Sequence, residues 1–350
     1  MLSRGEAIAA LTAVGEFFEL ELADMHGAER RVFKNAPRSL REQWLATAAH
    51  GDRPYFVYND VTTTYADAHR MVNSLAAWLT ERGIGKGDRV AIGMRNYPEW
   101  AIAFFAVESI GAIVVSLNAW WIADELKYAF TDSNARAAII DGERLERISP
   151  DLQKECGIDS IVVAHGEARP GTTAWADAVG NADAVMPHVD IDPNDDATIL
   201  YTSGTTGFPK GAQLTNRGSV TNILNLVAMT TTVQVAEAKA VAAGDIPAPS
   251  APTTPPPAQN CFMAPTPLFH VTACNCILHP ATLSGAKVVF TYKWDPGRAL
   301  ELIEREKVTN FSGVPTMSRE LLLHPDWPKR DTSSIQGMGG GGAAMQPEIG

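Results

Sequence analysis

The chain has 350 residues, 45% of them hydrophobic, enough to bury a large core across two or three domain-sized units. A net charge of -11 leaves no basic stripe to neutralise nucleic-acid phosphates, so an anionic ligand must be met locally. Cys156, Cys261, Cys274 and Cys276 lack the spacing of a disulfide framework, and no secretory signal is visible, which together suit a reducing, cytoplasmic setting.

In chain order, residues 1–50 form an extension with helix-like segments at Glu6–Leu22 and Leu40–Ala49. From Arg89 onward short apolar runs alternate with amphipathic stretches. Val90–Met94, Ala112–Leu117, Ala137–Ile140 and Ile161–Ala164 read as strands, separated by helices at Ala101–Ser109, Asp124–Thr131 and Glu143–Lys154. Such alternation predicts a parallel sheet covered on both faces. The apolar stretch Trp100–Ala123 is long enough to span a bilayer, but the break at Gly111 resolves it into a helix and a buried strand. A second α/β unit follows, with strands at Ala286–Phe290, Asn310–Gly313 and Ile335–Gly339 and helices near Pro296–Glu306 and Pro315–Leu323. The expected organisation is therefore α/β, with a first subdomain over 51–232, an insertion over 233–258 and a second subdomain over 259–350. The insertion, rich in alanine and ending in PAPSAPTTPPP, reads as an exposed loop with polyproline character.

The most informative run is YTSGTTGFPKGA at Tyr201–Ala212, which follows the short apolar strand Ala197–Leu200. Gly204, Gly207 and Gly211 allow backbone turns closed to other residues, so that successive N–H groups can converge on an anion. Thr202, Ser203, Thr205 and Thr206 add hydroxyl donors, and Lys210 adds a cation for charge-assisted contacts. The pattern GxxxxGK[ST] would need a lysine directly after the second glycine and a helix there. Phe208 and Pro209 occupy that place and predict extended backbone before Lys210, which disfavours a kinase or GTPase.

With this run, the chain resembles the adenylate-forming enzymes, a family of acyl-CoA synthetases, amino-acid adenylation domains and luciferases. Further matches fall in the family's order: TTYADA at Thr63–Ala68, ESIGAIVVSLN at Glu108–Asn118, APTPLFHV at Ala264–Val271, GVPT at Gly313–Thr316 and MGGGGAAM at Met338–Met345. PLFH and the segment from Arg30 look most like the fatty-acyl-CoA synthetase branch. The resemblance implies ATP, Mg and CoA as cofactors and substrates, and a small carboxylic acid, expected to be a fatty acid, as partner. It gives no role to nucleic acid and leaves room for peripheral membrane contact and a homodimer. An aryl-CoA ligase or amino-acid adenylation domain is the alternative, and a non-catalytic acyl- or nucleotide-binding module is the reading from another class.

The same resemblance implies the site. Thr202, Ser203, Gly204, Thr205, Thr206, Gly207 and Lys210 would cradle the β- and γ-phosphates, and Gly341, Gly342 and Ala343 would contact adenine. His270 would stand beside the carboxylate and α-phosphate, with Phe269 shaping the acyl channel, and Gly313–Thr316 would line the acyl pocket. Trp120 and Trp121 are expected to pack in the core, and Tyr65 and Asp67 to be structural. His270, Cys274, Cys276 and His279 are close in sequence, but H-x3-C-x-C-x2-H matches no common zinc pattern. The family would continue past Gly350 with further phosphate, magnesium and ribose ligands and a small domain carrying the adenylation lysine. The chain is thus expected to be the larger part of an N-terminal domain, with little turnover by itself.

Overall fold

The computed structural model describes residues 4–25, 27–202, 207–247 and 257–341. Two sheets dominate it. The first runs Lys210–Thr215, Asp196–Thr202, Ile113–Ser116, Arg89–Gly93, Ala135–Asp141, Ser160–Ala164 and Thr173–Ala174 in spatial order, parallel except for its first pair. The second runs Gly337–Gly340, Asn310–Gly313, Cys261–Ala264, Lys287–Phe290, Pro54–Tyr58 and Val61–Thr64, parallel except for its last pair. The α/β architecture read from the alternation is the one observed.

The helix Pro98–Ser109 explains the membrane-like stretch. Every residue from Trp100 to Ser109 is buried, and its apolar atoms pack in one cluster with Val90 and Ile92 of the first sheet and Phe56, Val288 and Phe290 of the second. A helix apolar on all sides belongs in a core of this kind. Among the described residues no helix is long and apolar enough to cross a membrane. Two smaller clusters cover the sheets' other faces, one around Val115, Phe130 and Ile140 and one around Met263, Leu300 and Phe311.

Several boundaries differ from the sequence reading. The expected first subdomain, 51–232, does not keep to one sheet, because its hairpin Pro54–Thr64 pairs with Lys287–Phe290 in the second. Its TTYADA segment fastens that pairing: Tyr65 donates its hydroxyl to the Ala286 carbonyl at 2.9 Å, and Thr64 and Asp67 form a capping box on the helix Tyr65–Glu81. Glu6–Leu22 is not one helix. Helix Arg4–Leu11 ends before Gly15, whose φ is +88°, and Leu20–Met25 pairs with Ala28–Phe33 as a hairpin. Glu143–Lys154 splits into Gly142–Leu145 and Pro150–Glu155, because Ser149 caps the second helix and Pro150 occupies its first turn. The insertion is also corrected in its first part: Val233–Ala242 continues the helix Asn216–Ala242. Its alanines favour helix, and the first proline of the stretch comes at Pro247. Residues 248–256 lie outside the described residues.

Glu108, on the central helix, is 1% exposed, and among the described residues its carboxyl accepts one hydrogen bond, from the Thr198 hydroxyl at 3.2 Å. Burial pushes its pKa well above the carboxylate range, so it is held neutral. A carboxyl raised on folding supports stability below its unfolded pKa and loses that contribution as pH rises through the folded value. Glu108→Gln is therefore expected to match the parent at pH 4 and to exceed it in stability at pH 8. Urea midpoints at the two pH values measure this, and an advantage that does not grow with pH would refute it.

Candidate functional site

The glycine- and hydroxyl-rich loop is held by its two stems. Thr202 ends one strand and Lys210 begins the next, the two residues pairing in register, and the Thr202 hydroxyl donates weakly to the Lys210 carbonyl at 3.4 Å. Gly207 has φ +87°, and a Cβ on Gly211 would lie 2.7 Å from Ile199, so both positions require glycine. Helix Ala123–Ser133 clamps the loop from below. Its Tyr128 donates to the Pro209 carbonyl at 3.0 Å and stacks on Phe208, while Tyr201 donates to Asp132 at 2.7 Å. Thr202 and Lys210 are exposed, and Lys210 makes no ion pair among the described residues. The expected extended backbone is present: Lys210 opens a strand, not a helix. Ser203, Gly204, Thr205 and Thr206 lie outside the described residues.

The carboxyl ends of the parallel strands in the two sheets converge, the place where α/β proteins bind ligands. Asn96, just after Arg89–Gly93, is 6% exposed and reaches across to the PLFH segment. Its amide donates to the carbonyls of Ala264 at 3.2 Å and Thr266 at 2.7 Å, and its oxygen accepts from Leu268 N–H at 2.8 Å. Beside it, Arg95 lies over the rings of Trp120 and Tyr292, at 4.7 and 5.4 Å from their centroids. Trp120 meets Phe269 edge-on at 5.2 Å. These residues, with Trp294 and Met317, line a cavity of about 150 Å³. The expected core role of the tryptophan pair thus divides. Trp121 is buried beside Tyr201, whereas Trp120 is half exposed on the cavity wall.

His270 sits at the exposed start of the short helix Val271–Ala273. Its Nδ1 accepts from Thr272 N–H at 3.4 Å, and Nε2 has no partner among the described residues. The following turn, Cys274–Leu278, is a π-helix. Pro280 supplies no N–H to the preceding turn and crowds the carbonyl four residues back, a local cause of such opening. Asn222 of the long helix donates to the Asn275 carbonyl at 2.9 Å. Behind this turn Cys274 and His279 are buried and in contact at 3.5 Å, and burial lowers the His279 pKa to about 3.

Gly341 leaves the edge strand Gly337–Gly340 and donates its N–H to the Gly313 carbonyl at 3.1 Å. Gly342 and Ala343 lie outside the described residues. Thr202 ends the strand Asp196–Thr202, His270 comes six residues after the strand Cys261–Ala264, and Gly341 follows the strand Gly337–Gly340. The sequence reading missed Arg95, Asn96 and Tyr292, which carry no motif of their own. It also missed His165, which stacks on Tyr97 at 3.8 Å and pairs with Glu99 at 2.9 Å. The nearby Glu99 carboxylate raises the His165 pKa against the opposing effect of burial. His165 has φ +47° directly after the strand Ser160–Ala164, a conformation that no motif in the sequence announces.

A family model described as AMP-binding enzyme matches residues 42–350. The putative acyl-CoA synthetase YngI of Bacillus subtilis is 30% identical over 319 residues, covering 82% of this chain and 53% of its own length. A feruloyl-CoA synthase of Amycolatopsis is 32% identical over 286 residues, covering 82% of this chain and 50% of its own. The chain therefore spans about half the length of these relatives. Among solved structures, the N-terminal domain of FACL13 from Mycobacterium tuberculosis superposes with a TM-score of 0.70 at 23% identity, over 89% of this chain and 72% of that one. The anthranilate CoA ligase AuaEII superposes at 0.73 with 20% identity, over 88% of this chain and 56% of that one. Both likenesses concern the fold.

Proposed function

Because the chain belongs to the AMP-binding enzyme family, we propose that it is the nucleotide-holding part of an ATP-dependent acid–CoA ligase. The observation that carries this reading is the clamped loop whose stems present an exposed Thr202, ending one strand, and an exposed Lys210, opening the next and making no ion pair among the described residues. A carboxylate oxygen attacks the α-phosphorus of ATP, pyrophosphate leaves, and the CoA thiol then attacks the acyl carbon with departure of AMP. The protein's work in the first step is positioning and neutralisation of charge.

Lys210 would bind the β- and γ-phosphates together with the hydroxyl of Thr202 and the loop residues Ser203 to Gly207. His270, whose Nε2 has no partner among the described residues, would donate to a carboxylate or α-phosphate oxygen, and Gly341, Gly342 and Ala343 would lie against adenine. Magnesium, when bound, spreads the charge of the phosphates.

A fatty acid is the proposed acid, carried by the PLFH and N-terminal resemblance. The second reading is an aryl acid, favoured by the aromatic wall of Trp120, Phe269, Tyr292 and Trp294 beside His270. Pyrophosphate release by the full-length protein from ATP, with fatty acids of graded length, aryl acids and amino acids, tests both. Release is expected only when an acid is supplied, and fatty acids are expected to be the preferred class. Aryl-acid preference would favour the second reading, and no acid-dependent release would overturn the ligase assignment.

A further inference from the structure

A cavity of about 360 Å³ lies between the N-terminal helix and hairpin and the long helix Asn216–Ala242. That volume falls within the range of small-ligand pockets. It shares no lining residue with the cavity at Phe269. The helix supplies one wall through Thr221, Asn225, Ala228, Met229 and Thr232, spaced so that they share a face. The opposite wall is largely apolar, from Ile8, Leu11, Leu20, Val32 and Phe33. Ile8 and Met229 remain 43% and 54% exposed, so the apolar lining continues outward to the surface.

One cation completes it. Arg31 lines the cavity, is exposed, and has no hydrogen-bond or ion-pair partner among the described residues. Its basic neighbours are engaged: Lys34 pairs with Glu19 at 2.7 Å and Arg38 with Asp190 at 3.6 Å. An apolar hollow with a free guanidinium and the polar side chains of Thr221 and Asn225 complements a molecule with a hydrocarbon body and one anionic end. We propose that this cavity is a second acyl site, holding a free monoacyl carboxylate away from the proposed adenylation centre. The inference does not depend on acid–CoA ligation. It has a route to that centre, because Asn222 on another face of the same helix holds the π-turn behind His270.

Calorimetric titration of the 350-residue chain with octanoate, decanoate and dodecanoate, all below micellar concentration, tests the proposal. Affinity is expected to rise about three- to fourfold per methylene. Arg31→Glu, a surface change, is expected to weaken dodecanoate roughly 10- to 100-fold, while dodecanol binding stays within about twofold. Ala228→Trp should fill the hollow and abolish binding. A diazirine-bearing dodecanoate should label residues 8–33 and 221–232, and this labelling should persist in His270→Ala. Binding indifferent to chain length, equal dodecanoate affinity in Arg31→Glu, or labelling confined to the Phe269 cavity would overturn the proposal, and the labelling result stands even if Ala228→Trp does not fold.

Discussion

Lys210→Ala is expected to lower kcat/KM for ATP by roughly 30- to 200-fold in the full-length protein, with the fold unchanged. The magnitude follows from losing one charge-assisted phosphate contact, about 2 to 3 kcal/mol of transition-state stabilisation. The structure gives two reasons for the clean separation of activity from stability. Lys210 is exposed and pairs with no carboxylate among the described residues, so its removal strands no partner. The loop's stems are fixed by Tyr128 and Tyr201, not by the lysine side chain. Steady-state pyrophosphate release and a urea midpoint measure the two quantities. A full-rate variant would remove Lys210 from the phosphate site, and a matching loss of stability would make it a structural residue.

Asn96→Ala is expected to cost about 2 to 4 kcal/mol of stability and to lower turnover further than stability alone explains. Its amide satisfies two buried carbonyls and one buried N–H on the segment leading to His270. Removing the side chain leaves them unpaired, at about 1 to 3 kcal/mol for each group that water cannot reach. Asn96→Asp is the sharper variant. It keeps the acceptor for Leu268 but turns an oxygen toward the carbonyls of Ala264 and Thr266, so it should be at least as destabilising as alanine at neutral pH. Urea midpoints for both, with kcat measured in the full-length protein below the unfolding range, check this. Unchanged stability in both variants would show that the bridge between the sheets is not maintained in solution.

How much of this was legible beforehand depended on whether the information was local. Loop chemistry was legible because its glycines, hydroxyls, proline and lysine are contiguous, and each acts on its own backbone: Gly207 turns with positive φ, and Lys210 opens a strand after Pro209. The alternation that predicted parallel strands was legible for the same reason, since side-chain period is set residue by residue. Periodicity also placed the helix at Pro296–Glu306 without error. An averaged reading failed at Val233–Ala242, where alanine-rich helix adjoins proline-rich chain and the prolines were allowed to speak for both.

Tertiary structure decided the rest. Nothing in Pro54–Tyr58 indicates that its partner is Lys287–Phe290, more than 200 residues away, because either sheet would bury its apolar side chains equally well. Asn96 is one asparagine among many until folding brings Ala264, Thr266 and Leu268 within hydrogen-bonding distance of it. Arg95, Trp120, Phe269 and Tyr292 come from four separate segments and form a wall only where the strand ends of the two sheets meet. The sequence by itself determined the local chemistry of the phosphate loop and the type of most elements. Which strands paired and which polar groups shared a boundary were decided by the fit of buried surfaces and by the need of buried donors and acceptors for partners, and both arise only in the folded chain.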